Sequence, residues 1–285
     1  VLDRRAHLEL HGTGALMGAP PIDPEATVAA LRAEWAALRA LVGEMSDEQF
    51  AAASVLPGWS NADIVAHVIG TESILAGRAV PEHDVTGRAH VRNPIGELNE
   101  KWIEELRGTD RAELLAAFDA ITAERVASLA AMSDEEMAAE TMTPAGPDAY
   151  ARFLRIRVFD CWIHELDLRD GLALAPPDTA GPAAIALDEA AASLPYVLAK
   201  RAGVPPGTTV VIGLTGLLEK RLAVEVAERA RLVPEAAEPD VELTVDTAEF
   251  FRLIGGRRDA DPSSVTITGD EGLGRQIVGK LAYTI

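Results

Sequence analysis

Six histidines, at positions 7, 11, 67, 83, 90 and 164, are the groups of this chain best suited to hold a metal or move a proton. Only His67 and His164 fall inside strongly periodic helical segments. His164 belongs to the run Arg157-Val158-Phe159-Asp160-Cys161-Trp162-Ile163-His164-Glu165-Leu166-Asp167. At about 100° per residue on a helix, Phe153, Arg157, Asp160, His164 and Asp167 share one stripe, and Phe159, Ile163 and Leu166 beside it are apolar. An ionisable stripe that faces a bundle interior must find partners there, because burying it unpaired is costly. Asp160 and His164, four residues apart, have the spacing at which two side chains of one helix can hold one metal ion. His67 on another helix can supply a third ligand. Two histidines and a carboxylate with an open fourth position make a catalytic type of zinc shell, whereas a structural zinc is closed by four ligands. Such a shell can activate a thiol or a water molecule.

The same residues have plainer readings. An Asp–His pair at i,i+4 is also the spacing of a surface ion pair worth roughly a few tenths of a kcal/mol. A histidine on an apolar helix is often a core residue. Arg157 can bind an anionic group of a cofactor or substrate, or simply pair with Asp160. Trp59 and Trp162 can line a pocket or fill a core. Cys161 lies about 100° off the stripe with no base beside it, and reads as a buried structural thiol.

The elements that must position these groups are helices. Asp23-Pro24-Glu25 starts the first, with apolar positions at Val28, Leu31, Trp35, Leu38, Leu41 and Val42. Ser60 with Asp63 three residues on predicts a capping box for a second helix, which carries His67. A third covers about 95–106 and continues past Gly108-Thr109-Asp110 through 114–132. A fourth runs from Tyr150 to Leu168 and ends at Gly171. Four long amphipathic helices predict a four-helix bundle. The Pro-rich segment 175–178, followed by Gly181-Pro182, predicts a linker. Beyond it, one helix over 184–202, strands at 208–212, 221–226, 241–245 and 264–269, a short helix over 248–254 and a closing helix over 271–281 predict an α+β domain. The expected organisation is therefore a leader at 1–22, with Met17 nearer a natural start, a bundle at 23–177 and an α+β domain at 178–285.

The chain has 285 residues, 45 acidic against 26 basic, for a net charge of −19. Residues 23–177 hold 27 acids and 13 bases, so the bundle carries most of that charge. This balance repels phosphate backbones and anionic membranes, so neither nucleic acid nor a membrane is an expected partner. A hydrophobic content of 48% excludes a disordered chain. The single cysteine excludes an intrachain disulfide and a cysteine-rich metal cluster, and fits a reducing cytoplasm. No apolar run reaches the roughly 18 residues of a membrane span. No phosphate-binding loop or G-x-G-x-x-G motif is present.

The segment 56–67, Leu-Pro-Gly-Trp-Ser-Asn-Ala-Asp-Ile-Val-Ala-His, resembles the PGW-x-x-x-D-x-x-x-H signature of the mycothiol-dependent maleylpyruvate isomerase family. Residues 157–169, with their acid, Trp, His and Leu-Asp-Leu-Arg, resemble the second half of that family's metal site. Residues 250–257 and Thr268-Gly269-Asp270 resemble its second domain. The resemblance implies a DinB-like metal-binding four-helix bundle joined to a C-terminal α+β domain of sterol-carrier-protein-like form. It further implies a divalent metal, zinc above all, on His67, Asp160 and His164, with Asp160 one methylene shorter than the family's Glu. It implies mycothiol as the thiol cofactor and a small electrophile as substrate. It implies a catalytic arginine from the second domain, matched by Arg257 with Arg258 and Arg275 as alternatives. Arg157 and Trp59 are the expected cofactor contacts, and Arg157 stands beside Arg257 as an expected catalytic residue. The expected activity is isomerase or S-transferase chemistry through an activated thiolate. A metal-dependent hydrolase and a non-enzymatic binding module with a structural metal are the rival readings.

Overall fold

The structure, a computed structural model, describes residues 20–284. Helix α1 (Pro24–Glu44) starts where the Asp23 carboxylate accepts from the Ala26 N–H, and it buries Leu31, Trp35, Leu38 and Val42. A short helix α2 (Asp47–Ala51) leads to α3 (Asn61–Leu75). At the start of α3 the Ser60 hydroxyl accepts from the Asp63 N–H while the Asp63 carboxylate accepts from the Ser60 N–H, the reciprocal box expected from the sequence. Then follow α4 (Pro94–Leu106), α5 (Arg111–Ala131), α6 (Asp134–Ala138), a hairpin of β1 (Glu140–Thr143) and β2 (Gly146–Ala149), and α7 (Tyr150–Gly171). Helices α1, α3, α5 and α7 pack as the four-helix bundle, and α4 lies against α3.

The second part opens with α8 (Ala180–Tyr196), which ends in one wide turn at Val197–Arg201. Its sheet has the order β5 (Ala230–Val233), β4 (Lys220–Val226), β3 (Thr208–Thr215), β6 (Val241–Asp246), β7 (Thr266–Gly269). Only the β3–β6 pair is parallel. Val241, Leu243 and Val245 alternate inward along β6, as period-two patterning requires. Helix α9 (Thr247–Ile254), capped by Asp246, and α10 (Glu271–Val278) complete the domain. The chain is thus a helical N-terminal part and a sheet-bearing C-terminal part, the expected α+β class.

Several expectations need correction. The third predicted helix is two helices: Gly108 takes a left-handed φ of +82° and Asp110 caps a fresh start at α5. The hairpin β1–β2 and strand β5 escape pattern reading because β2 holds Gly146 and Pro147, which read as a turn, and the four residues of β5 show no clean alternation. Residues 20–22 are not loose: Ile22 packs on the bundle core, and the Pro20 carbonyl accepts from Arg155 Nη1 at 2.9 Å. Residues 1–19, with His7, His11 and Met17, lie outside the described residues. Residues 172–179 form no helix or strand, but the two parts do not stand apart there. Phe159, Trp162, Ile163 and Leu166 of α7 belong to the same apolar core as the sheet, and α8 packs on α1, α7 and β5.

Candidate metal centre

The capping box at Ser60 fixes where α3 begins, and His67 follows seven residues later on the face turned toward α7. There the two predicted halves meet. His67, Asp160 and His164 each present a ligand atom, and these atoms all lie within 4.8 Å of one another. His67 Nε2 is 3.2 Å from Asp160 Oδ2, and His164 Nε2 is 3.6 Å from Asp160 Oδ1. The imidazole rings stand edge to face at 5.0 Å between centroids. Both histidines are buried, while the Asp160 side chain keeps 29% exposure and is the ligand open to solvent.

The protonation pattern follows from the partners. Asp167, fully buried, receives Arg257 Nε and Nη2 at 2.7 Å each, a two-pronged pair that keeps it ionised. Burial works against that charge, but Arg257 and His164 outweigh it and hold the carboxyl below its ordinary range. An ionised carboxylate only accepts, so His164 must donate from Nδ1 to Asp167 Oδ2, at 3.0 Å. Its Nε2 faces Asp160 Oδ1 across 3.6 Å, a gap too long for a hydrogen bond. Burial pulls the His67 pKa down, toward the neutral ring that can ligate. For Asp160, burial is outweighed by Arg157 and the two imidazoles, which hold its carboxyl well below the usual carboxylate range. Two imidazoles and one carboxylate, brought together with one gap unbridged, suit a divalent cation.

A second network lies behind Asp160. Arg157 Nη1 donates to Asp160 Oδ2, and its Nε donates to Glu72 Oε1 at 2.8 Å. Glu72 Oε2 accepts from Arg125 Nε at 3.0 Å, and Arg125 Nη2 donates to the Tyr150 hydroxyl at 2.7 Å. Glu72, Arg125 and Arg157 are all buried. The pair with Asp160, one of the two sequence readings of Arg157, is present. Cys161 is fully buried, and burial pushes its thiol up, as expected of a structural cysteine.

Trp59 covers the histidines, with ring centroids 5.4 Å from His67 and 6.1 Å from His164. Its indole N–H donates to Glu100 Oε2 at 3.0 Å, and this buried carboxylate also receives His90, Arg88 and Arg107. The His90 ring lies so close to Gly58 that a Cβ there would come within 2.5 Å of it, and Gly58 has a φ of +83°. Both facts require glycine before Trp59. Trp162, by contrast, is core, 4.3 Å from Phe251 between ring centroids. A groove of about 480 Å³ shares Trp59 with the ligand cluster and is lined further by Ser54, Leu56, Arg107 and Arg258. Among the candidate arginines, Arg257 holds Asp167, Arg258 lines the groove, and Arg275 pairs with Glu271 on the exposed side of α10.

Sequence reasoning missed Glu72, Arg125 and Glu100. For Arg125 a signal existed: it falls on the stripe Leu114, Phe118, Ile121, Leu129 that α5 buries, where a charge must be paired.

Comparison with known proteins agrees with this architecture. Residues 31–169 match the profile of the mycothiol maleylpyruvate isomerase N-terminal domain, and residues 184–276 match the C-terminal domain of the same family. Two uncharacterised proteins of Mycobacterium tuberculosis, from strains CDC 1551 and H37Rv, are each 28% identical over 159 residues. That match covers 55% of this chain and spans 60% of the length of those relatives. The crystal structure of the mycothiol-dependent maleylpyruvate isomerase superposes with a TM-score of 0.58 at 18% identity, over 87% of this chain and 93% of that one. A point mutant of the same enzyme gives the same TM-score at 17% identity. With both halves of the chain matched in order, and the two halves of the ligand set brought together by α3 and α7, the chain belongs to the mycothiol-dependent maleylpyruvate isomerase family.

Proposed function

We propose that this protein is a metal-dependent thiol enzyme that uses mycothiol to isomerise, or transfer the thiol to, a small electrophile. The observation that carries the reading is the convergence of His67, Asp160 and His164 in a chain of this family. A zinc ion held there by three protein ligands would supply the Lewis acidity that makes a thiol a thiolate at neutral pH. The residues of the chain do the rest. Asp167 fixes the His164 ring through Nδ1–H, and Arg257 fixes Asp167 from the second domain. Arg257 therefore serves by positioning, through Asp167 and His164. Trp59 walls the histidines with an apolar face that keeps water from one side of the centre. Arg258, exposed and with no ion pair among the described residues, places positive charge along the adjoining groove, where an acidic group of a cofactor or substrate can dock, whereas Arg107 in the same groove is paired with Asp63.

The test is zinc content of untagged protein beside a His67→Ala/His164→Ala double variant, followed by turnover with and without mycothiol. About one zinc per chain in the wild type, none in the variant, and turnover only with the thiol are the expected results. Metal-dependent turnover without any thiol would instead assign the same donors to water activation. A wild type that cannot be loaded with zinc would leave Asp160 and His164 an ion pair.

A further inference from the structure

The two oxygens of Asp160 are not equivalent. Oδ2 receives Arg157 Nη1 and faces His67 Nε2 at 3.2 Å, whereas Oδ1 has no hydrogen-bond donor among the described residues and faces His164 Nε2 at 3.6 Å. Arg157 is not free to leave. Its Nε is committed to Glu72, its Nη2 lies 3.6 Å from Cys161 Sγ, and Glu72 is held from the other side by Arg125, itself tied to Tyr150. Glu72 is 0% exposed, Arg125 2% and Arg157 3%. Two guanidinium groups and two carboxylates cancel in this network, and pulling Arg157 off Asp160 would leave a buried charge without its partner.

Resting on the metal-centre reading above, we propose that Arg157 is the positioning residue of the centre: by occupying Oδ2 it restricts Asp160 to ligation through one oxygen. A carboxylate can otherwise close on a metal through both oxygens and use up the position an incoming thiol needs. Asp160 lies within reach of the Arg157 guanidinium, and Glu72, Arg125 and Tyr150 hold that guanidinium there.

The experiment uses the full chain loaded with cobalt(II), whose visible band is intense when four-coordinate and weak at higher coordination number. Wild type, Arg157→Gln and Arg157→Lys are compared, with folding followed by circular dichroism and cobalt affinity by chelator competition. The wild type gives the intense four-coordinate band. Arg157→Gln frees Oδ2 for the metal and removes a neighbouring positive charge, so its band weakens while cobalt is held about tenfold more tightly. Arg157→Lys stays on Glu72 as a point charge without a fork, and its band weakens less. If Arg157→Gln does not fold, Arg157→Lys carries the test, and an unchanged lysine spectrum overturns the inference. Weaker cobalt binding with an unchanged band in either variant marks a merely structural role and overturns it too. A wild type that binds cobalt with a weak, high-coordination band overturns the inference and leaves the metal centre standing. A wild type that takes up no cobalt overturns both.

Discussion

His164 is held by the nitrogen that faces away from Asp160, and this decides what its other nitrogen can do. Asp167→Asn keeps the shape of that partner but removes the charge that demands a proton on Nδ1, and it releases Arg257. Zinc affinity is expected to fall about 10–100-fold, read by competition with a chromophoric chelator. An unchanged affinity would show that the Nδ1 bond does not set the ligand. At this scale the sequence was legible where one helix carried the message. Arg157, Asp160, His164 and Asp167 fall on one stripe because helical spacing alone aligns them. Glu72 was not legible: its partners Arg125 and Arg157 lie 53 and 85 residues away, and no local period reports which carboxylate meets which guanidinium.

Among the elements, the turn before α3 and the contact between α1 and α7 make the sharpest demands. Gly58→Ala must hold a left-handed φ and displace the His90 ring, and it is expected to cost about 1–3 kcal/mol, seen as a lowered Tm. Trp59 should move with it, so its fluorescence is expected to change even where the fold survives. On α1, Glu34 is buried with both carboxylate oxygens unpartnered, and burial, then the neighbouring Glu165, pushes its pKa up to about 9. The unfolded chain ionises this acid near the ordinary value of 4.5, so stability declines as pH rises from there toward 9. Glu34→Gln removes that penalty. Its Tm is expected to exceed the wild type at pH 8, by an amount on the order of 5 kcal/mol in stability, and the gap to close as pH falls to 4.5 and below. A constant difference across that range would refute the assignment. Helix starts at Asp23 and Ser60 could be read directly because a cap is local chemistry. The break between α4 and α5 was visible as Gly108-Thr109-Asp110, yet the periodicity on both sides masked it.

For the molecule as a whole, α7 is the shared beam. One side supplies the stripe of the candidate metal centre to the bundle, and the other buries Phe159, Trp162, Ile163 and Leu166 in the core of the sheet domain. Trp162→Ala opens a cavity in that shared core and is expected to cost about 3–5 kcal/mol. Calorimetry of the full chain should show one transition that the substitution moves intact. Two separated transitions would mean that the bundle and the sheet unfold independently. The sequence placed a linker between the parts because proline and glycine cluster there, and it had no means to say that a helix before the linker packs into the domain after it. A composition break marks where the chain turns, not where contacts stop.

The grip of Arg257 on Asp167, and of Arg252 on Asp170 one turn further along α7, therefore joins two equilibria that are usually treated apart. If domain docking steadies His164, and His164 steadies the metal, then thermodynamic linkage makes the traffic run both ways. Whatever factor the docked domain adds to metal affinity, the bound metal must return to docking. An electrophile that wedges the parts open would loosen the metal by the same measure, whereas one that draws them together would tighten it.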